Sequence, residues 1–484
     1  MHRFYPLLRV FGALLIGFSF CLAVPMALSW VVGDGAHAAF DTAVIAALLC
    51  GLALYLGLYR ENREMKVRDG FLLVVLVWTV LPFFACLPLY LHLDISFTDA
   101  YFEATSGLTA TGSTVLSGID HLPLSLNFWR TFMHWIGGMG VVVLAVAILP
   151  LLGIGGRQLF KTEVPGPMKE SSLTPRIAET AKGLWRVYLI LTAACGVTLW
   201  LLGMGPWDAL MHAFSTLGLG GFSTKDASLG HFASLQIEIA VMFFALLSGL
   251  NYATHFLALN GRSIKPYLRD PEAPYFFGVL GISVLALTLY LLALGVFADF
   301  GTALRYVAFH SISLATSLGL ATTDYGQWPF FAQIWMLFLG SFIACSGSTG
   351  GGIKMIRAMI LYKQVYRELI CAMHPSIVRP VRIRGSVIPQ HVLSGVMAFG
   401  FIYMVSIVTL TLLMSFTGLD IVTAFSAVVA TLNNTGPGLN LVGPATTFAI
   451  LTDFQTWICT FAMILGRLEI FTLLVVLTPA FWRK

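Results

Sequence analysis

Charged side chains are scarce in this sequence of 484 residues. Asp, Glu, Lys and Arg make up only 11% of the residues, whereas hydrophobic residues make up 58%. Soluble domains carry about 25% charged residues, so this composition excludes an ordinary soluble protein. The sequence therefore predicts an integral membrane protein.

Cysteine is also sparse, and no two cysteines form a CxxC pair or cluster with histidine. The seven are Cys21, Cys50, Cys86, Cys195, Cys345, Cys371 and Cys459. His212, His255 and His310 are isolated, without metal-ligand spacing. The sequence therefore predicts neither disulfides nor a resident metal centre.

Signatures of nucleotide binding and of catalysis are missing too. No GxGxxG follows a predicted strand, and the P-loop-like run from Gly347 to Lys354 has one residue too many before its lysine. No Ser/His/Asp order or recurring carboxylate pair suggests an enzyme such as a membrane acyl- or glycosyltransferase. No basic patch interleaved with aromatic residues suggests nucleic-acid binding. We therefore expect no catalytic residues, no organic cofactor and no nucleic-acid partner.

What the sequence has instead is long apolar runs. About 20 helical residues cross the roughly 30 Å hydrocarbon core of a bilayer. Runs that approach or exceed this length lie at about 11–33, 38–58, 69–92, 128–152, 185–203, 232–258, 273–297, 329–346, 388–415 and 450–480. They predict ten transmembrane spans in a lipid bilayer.

Basic residues fall on one set of the segments between these runs. Most of the 28 Lys and Arg residues lie near the N-terminus, in 60–68, 157–186, 262–269 and 354–384, and at the C-terminus. Ten spans place all of these segments on one side, which the positive-inside rule makes cytoplasmic, so both termini are predicted to be cytoplasmic. The opposite segments are rich in acidic residues, which predicts an outer face that attracts cations. These residues are Asp94, Asp99, Glu103, Asp120, Asp208, Asp226, Asp299, Asp324 and Asp420.

A short polar segment recurs between the spans on the acidic side. In one frame the four copies read FEATSGLTATG (102–112), MHAFSTLGLGG (211–221), FHSISLATSLG (309–319) and SAVVATLNNTG (426–436). Ser106, Ser215 and Ser313 share one place in this frame, and Ala430 takes it in the last copy. Each copy ends in glycine. The pattern indicates one duplicated unit, repeated with variation in its loops.

Each copy is also preceded by an aspartate, namely Asp99, Asp208, Asp299 and Asp420. A carboxylate at this place suits the start of a short helix, and the final glycine permits a turn that ends it. We therefore interpret each copy as a half-helix that enters the membrane and returns as an extended strand. Non-helical backbone at that depth is tolerated where it lines a wet path. Four such loops around one axis predict rings of carbonyl oxygens that bind a monovalent cation.

Two further features lie in the later spans. The run Gly350–Gly352 breaks an apolar stretch, because consecutive glycines disfavour helix. Arg467 lies about midway along the last predicted span, where a charge is costly unless it faces the interior or a wet cavity. We interpret it as facing the pore, where it would raise the barrier to cations; an ion pair with Glu469 is the structural alternative.

These motifs resemble a known family. The hairpins TATGST, GLGGFST, SLGLATTD and NNTGPG, with FMHWIGGMGVVVL at 132–144 and SGSTGGGIK at 346–354, resemble the membrane subunit of the Trk/Ktr/HKT potassium-uptake superfamily, most of all its bacterial TrkH branch. The resemblance covers nearly the whole chain. It implies an all-α polytopic membrane protein with four units of outer helix, re-entrant pore loop and inner helix around one pore, plus an N-terminal helix pair.

The resemblance also implies the site residues. Potassium would be held by backbone carbonyls of Thr111, Gly112, Gly220, Gly221, Leu318, Gly319, Thr435 and Gly436. A gating loop below this filter would include Gly347, Gly350, Gly351 and Gly352, together with Arg467. The implied partners are a second copy of the chain in a homodimer and a cytoplasmic Trk regulatory subunit that binds NAD or an adenine nucleotide. The implied location is the bacterial inner membrane.

The resulting prediction is a channel-like potassium-uptake subunit. Its predicted parts are a helix pair at 1–66 and pore units at 67–156, 157–260, 261–384 and 385–484, the third with the gating loop and a cytoplasmic segment. A symporter that couples potassium to protons or sodium is the alternative. That mechanism calls for a titratable residue beside the pathway, and Arg467 does not deprotonate.

Overall fold

A computed structural model describes residues 4–59, 66–140 and 177–483 of the chain. Helices dominate this part of the chain, as predicted. In chain order they are α1 (Tyr5–Val32), α2 (His37–Gly57), α3 (Val67–His92), α4 (Phe97–Thr109), α5 (Leu124–Trp135), α6 (Ile177–Leu201), α7 (Pro206–Gly218), α8 (Leu235–Gly249), α9 (Tyr252–Gly261), α10 (Lys265–Arg269), α11 (Ala273–Ala293), α12 (Phe300–Ala315), α13 (Phe330–Phe342), α14 (Met355–Met373), α15 (Gln390–Phe416), α16 (Ile421–Leu432), α17 (Asp453–Arg467), α18 (Phe471–Leu477) and α19 (Pro479–Trp482). Strands β1 (Arg382–Ile383) and β2 (Ser386–Val387) form a small antiparallel hairpin.

The spans differ in length from the ten continuous runs that hydropathy predicts. Within the described residues six helices are long and apolar enough to cross a membrane, namely α1, α2, α3, α6, α11 and α15. Two bent pairs could each add one span: α8 with α9, at 96°, and α17 with α18, at 111°. The remaining two runs contain the short helices α13 and α5. The second half of the run at 128–152 lies outside the described residues.

The prediction of unbroken spans at 232–258, 329–346 and 450–480 is therefore wrong, and local backbone chemistry explains two of the breaks. Asn251 ends the first half of one span, because its side chain accepts the Ala253 N–H at 2.9 Å and starts α9 in a new direction. Glu469 and Ile470 both have positive φ, at 51° and 60°, which ends α17. Hydropathy cannot reveal such bends, because it measures how apolar a segment is and not the direction of its helix axis.

The four short helices α4, α7, α12 and α16 are packed in a cyclic pattern. Each contacts the outer helix before it and the inner helix after it in the chain. Each also contacts the inner helix of the preceding unit, so α7 meets α5, α12 meets α8, α16 meets α13, and α4 meets α17. The last of these contacts closes the circle. The chain therefore forms four repeated units around one axis, as the repeat predicts.

The N-terminal pair packs on the first unit. A Cβ at Gly12 would lie 2.9 Å from the Gly51 carbonyl oxygen, so α1 and α2 touch backbone to backbone.

The two ends of the described chain lie together, because the rings of Phe4 and Trp482 are 5.9 Å apart. The start of α3 lies there too, since Arg68 donates to the Arg483 carbonyl at 3.0 Å. These parts therefore share one end of the molecule.

The predicted acidic starts of the short helices take two forms. Asp299 and Asp420 are N-caps whose carboxylates accept the N–H groups of Thr302 and Thr423. Asp99 and Asp208 instead lie in the first turn of α4 and α7. Both forms stabilise the N-terminal end of the short helix.

Candidate ion-binding site

The four short helices end in the same way. In each copy the N–H before the final glycine bonds to a carbonyl one turn back: Thr111 to Ser106 at 2.9 Å, Gly220 to Ser215 at 3.0 Å, Leu318 to Ser313 at 2.7 Å and Thr435 to Ala430 at 2.9 Å. The accepting residues are those aligned by the sequence repeat. The residue ahead of each donor has positive φ, as do all four glycines. We name each short helix with its extended residues hairpin one, two, three or four.

The final glycines bring the hairpins into contact in a closed ring. A Cβ at Gly221 or at Gly319 would lie 2.5 Å from the carbonyl oxygen of Leu318 or Thr435, on the next hairpin. A Cβ at Gly436 would lie 2.8 Å from the Thr111 oxygen, which returns to hairpin one. The approach of Gly112 to the Gly220 oxygen is the closest of the four. We call the carbonyls of Thr111, Gly220, Leu318 and Thr435 the carbonyl ring.

Within the described part of the chain, the oxygens of the carbonyl ring accept no hydrogen bond. The other predicted site carbonyls belong to the glycines, and Gly436 accepts the Ser113 hydroxyl at 2.7 Å. Thr111, Leu318 and Thr435 are buried. Buried carbonyls without a donor are costly unless something else satisfies them. Carbonyl oxygens that ring one axis, at the negative ends of helices, suit a dehydrated monovalent cation.

The predicted gating glycines lie directly against the ends of the short helices. We call Ser346–Lys354, between α13 and α14, the glycine loop. Its Thr349 hydroxyl donates to the Leu217 carbonyl of hairpin two at 3.0 Å. Its Gly351 N–H donates to the Ser317 hydroxyl of hairpin three at 3.2 Å.

The glycine loop also approaches hairpin four. A Cβ on Gly351 would collide with the Asn433 carbonyl oxygen, and one on Gly350 would lie 2.7 Å from the Thr316 oxygen. Gly347 and Gly352 have positive φ. The loop therefore passes under three hairpins, with no room for side chains at these points.

Arg467 joins the glycine loop to the first unit. Its guanidinium donates to the Thr349 carbonyl at 3.3 Å and to the Gly138 carbonyl at 2.8 Å, and also to the Gly137 carbonyl. Arg467 is the last residue of α17, at the 111° bend, so the last predicted span is not continuous at this residue. The structure thus brings together Arg467 and the four predicted gating glycines.

A residue that the sequence did not single out ties down both ends of the glycine loop. The buried carboxylate of Glu272, just before α11, accepts the N–H of Ser346 at 2.9 Å and the N–H of Ile356 at 3.0 Å. Burial raises the pKa of Glu272 to about 7; Asp270 adds to the rise, and Lys354 opposes it. The only sequence signal was an acid beside the start of a span, which also fits an ordinary helix start.

A second tether was also missed. Arg357, in the first turn of α14, forms an ion pair with Glu469 at 2.7 Å. Its guanidinium lies 4.2 Å from the centre of the Phe399 ring. This pair connects the helix after the glycine loop to the bend between α17 and α18. Glu469, considered from the sequence as a partner of Arg467, forms this ion pair with Arg357.

Comparison with known proteins decides the family. The model of the TrkH cation transport protein family matches residues 36–484. The chain belongs to the TrkH family. It is 44% identical to the Trk system potassium uptake protein TrkH of Salmonella typhimurium, over the full length of both chains, and 43% identical to that of Escherichia coli K12, again over both full lengths.

A solved structure of the TrkH family agrees with the fold. The crystal structure of the potassium transporter TrkH from Vibrio parahaemolyticus aligns with a TM-score of 0.90 at 43% identity. The alignment covers 99% of this chain and 100% of that one. Membership in a family of transport proteins confirms that the chain is not an enzyme.

We call Gly112, Gly221, Gly319 and Gly436, the final glycines of the four repeats, the ring glycines. We predict that a side chain at any of them disturbs cation selectivity. Serine at Gly112, Gly221, Gly319 or Gly436 would place a Cβ against a carbonyl oxygen of the next hairpin, in a backbone region that favours glycine. The measurement is the ratio of fluxes of two monovalent cations into proteoliposomes.

Gly418→Ser is the matched control for this prediction. Gly418 has φ of 91°, against 92° for Gly436, but nothing lies within 4 Å of its Cβ position. This variant should show the backbone strain without the collision and keep the wild-type flux ratio. Four ring variants with wild-type ratios would contradict the assignment of the ring.

We predict a Glu272-dependent change of stability with pH. Because the folded protein keeps a proton on Glu272 up to pH of about 7 and the unfolded chain releases it near 4.5, the contribution of Glu272 to folding weakens as pH rises between these values. The full change is about 3 kcal/mol. Melting temperatures of wild type and Glu272→Gln, measured from pH 4.5 to 8, check it. Glu272→Gln should have the flatter profile; parallel profiles would contradict the prediction.

Proposed function

We propose that this chain takes up potassium through the carbonyl ring by a channel-like, downhill mechanism. The single observation that carries the proposal is the cyclic approach of Gly112, Gly221, Gly319 and Gly436 to the carbonyls of the next hairpin. Such a ring replaces the hydration shell of a potassium ion. The names of the relatives, Trk system potassium uptake proteins, support the same ion. The eight predicted carbonyls, at residues 111, 112, 220, 221, 318, 319, 435 and 436, are the proposed binding groups.

The proposed gate is the glycine loop together with Arg467. The loop lies under the ends of hairpins two, three and four, and Arg467 spans from Thr349 to the first unit. In a narrow passage of low effective dielectric, a fixed positive charge repels potassium far more strongly than in water. Motion of the loop would therefore open the path, and Arg467 would set the barrier while it is closed.

The proposed setting is the bacterial inner membrane, with both termini in the cytoplasm. The clustering of Phe4, Arg68 and Trp482 at one end agrees with termini on a single side. The exposed basic residues around β1 and β2, such as Arg382 and Arg384, lie in the segment that the positive-inside rule assigns to the cytoplasm. This surface suits the proposed regulatory subunit that binds NAD or an adenine nucleotide. A homodimer of the chain completes the proposed assembly.

A potassium symporter remains the second candidate, because two titratable groups lie near the proposed gate. Lys354 is buried and donates to the Gly350 carbonyl, and Glu272 holds the ends of the same loop. A coupled mechanism needs a group that exchanges a proton beside the pathway. Either residue could supply one.

Reconstitution of the purified chain in liposomes tests both functions. Potassium uptake down an imposed potassium gradient, with no proton or sodium gradient, is the expected result. Uptake that appears only when a proton or sodium gradient is added would favour the symporter. No potassium uptake under any gradient would contradict both.

We predict that removing either element of the gate gives a leakier pore. Arg467→Ala and a deletion within Gly350–Gly352 should each raise the basal potassium flux and leave the melting temperature near that of the wild type. The physical reason is the lost repulsion and the lost obstruction under the carbonyl ring. Liposome flux and thermal unfolding in detergent are the two measurements.

Arg467→Lys serves as the control that keeps the charge, and its flux should stay low. If Arg467→Ala instead shows a lower flux together with a lower melting temperature, Arg467 has a structural role and the gate assignment is wrong.

A further inference from the structure

In each hairpin, a side chain of the short helix forms hydrogen bonds with the extended residues that follow the ring glycine. Glu103, His212 and His310 occupy the same place in the sequence frame of the repeat. In hairpin one, the Glu103 carboxylate accepts the Thr114 hydroxyl at 2.9 Å and the Val115 N–H at 3.1 Å. Both partners lie in the strand that leaves the carbonyl ring, two and three residues after Gly112.

Histidine plays this part in hairpins two and three. The carbonyl of Asp208 lies 2.8 Å from His212 Nδ1, so that nitrogen carries the proton and Nε2 accepts the Ser223 hydroxyl at 3.0 Å. The Nε2 atom of His310 accepts the Thr322 N–H at 3.3 Å. Both histidines are buried.

In hairpin four Ala427 occupies this place, and the preceding residue supplies a hydroxyl instead: Ser426 Oγ accepts the Leu439 N–H at 2.9 Å. Of the four described hairpins, only hairpin one is therefore held from this place by a carboxylate. The negative charge of Glu103 is balanced by the positive charge of Arg130. Arg130 on α5 bonds to Glu103 Oε1 through Nε at 2.9 Å and through Nη2 at 2.8 Å, and both side chains are fully buried.

Arg130 also reaches the neighbouring hairpin. Its Nη1 donates to the Ser223 carbonyl at 3.4 Å, and its guanidinium lies 4.3 Å from the centre of the Phe222 ring. One planar group thus contacts the outgoing strands of hairpins one and two. The junction that it spans, Gly112 against the Gly220 oxygen, is the closest of the four in the carbonyl ring.

We propose that the buried Glu103–Arg130 pair sets the spacing of hairpins one and two, and so determines how strictly the carbonyl ring discriminates among monovalent cations. The inference rests on the proposed conduction through that ring. Thr114 and Ser223 each lie two residues beyond their ring glycine, so a shift of either strand moves the carbonyl before it. Glu103 and Arg130 are positioning residues, since neither is among the ring carbonyls.

Two variants loosen this link by different routes. Arg130→Lys keeps the charge but loses the planar fork that reaches both strands. Thr114→Val keeps the shape of residue 114 and the ion pair, and removes the hydroxyl that donates to Glu103 and accepts from Arg130 Nη2 and the Leu116 N–H. The matched control is Arg305→Lys, because Arg305 pairs with Glu238 through two bonds of 2.8 and 2.7 Å and joins α12 to α8; among the described contacts, neither side chain bonds to an outgoing strand.

The readout is the ratio of potassium to sodium flux, and of potassium to caesium flux, in proteoliposomes. Arg130→Lys and Thr114→Val should lower these ratios about three- to tenfold, the range expected when one coupled contact is lost. Arg305→Lys should lower only the melting temperature. A structural anchor alone would change stability or total flux and leave the ratios as in the wild type.

The outcomes separate this inference from the proposed function. Wild type that conducts potassium, with both variants at wild-type ratios, overturns the inference and leaves the function standing. If Arg130→Lys fails to fold, Thr114→Val decides, and an unchanged ratio in that variant overturns the inference. Wild type that passes no potassium overturns the proposed function, and the inference with it.

Discussion

Four backbone carbonyls, each packed against a glycine of the neighbouring hairpin, are the constraint on which the rest of this structure depends. Within the described residues no hydrogen-bond donor satisfies them. Side chains are excluded between them, because each ring glycine approaches the oxygen of the next hairpin. Such an arrangement persists only where the surroundings fix it. The cyclic contacts of the short helices and the side chains behind each strand supply that fixation.

The repeat preserves backbone geometry more strictly than side chains. All four hairpins share the same hydrogen bond before the ring glycine and the same pair of positive φ values. The groups behind the strands differ, from carboxylate to imidazole to hydroxyl. Any donor or acceptor of suitable reach satisfies the polar groups of a strand, whereas the four hairpins share one backbone conformation at the ring. The chemical type of the side chain therefore varies behind the strands, whereas the backbone conformation at the ring does not.

This difference explains what the sequence predicted and what it could not. The glycines at 112, 221, 319 and 436 carry a signal in their identity, so the frame, the units and the cyclic fold could be read in advance. The bends after Gly249 and Arg467 could not, because apolar residues resume directly beyond each one, and the identities of Glu469 and Ile470 do not indicate positive φ. Glu272 was missed because its partners are backbone N–H groups far along the chain.

The glycine loop breaks the symmetry of the four units. It belongs to the third unit, yet it contacts hairpins two, three and four, while Arg467 of the fourth unit connects it to the first. All four units therefore meet at one segment, which Glu272 holds at both ends. Because the loop bonds to the ends of the helices that carry the carbonyl ring, a movement of the loop breaks those bonds. The proposed gate and the proposed binding ring are for this reason mechanically coupled: a displacement of the glycine loop also displaces the helix ends that carry the ring.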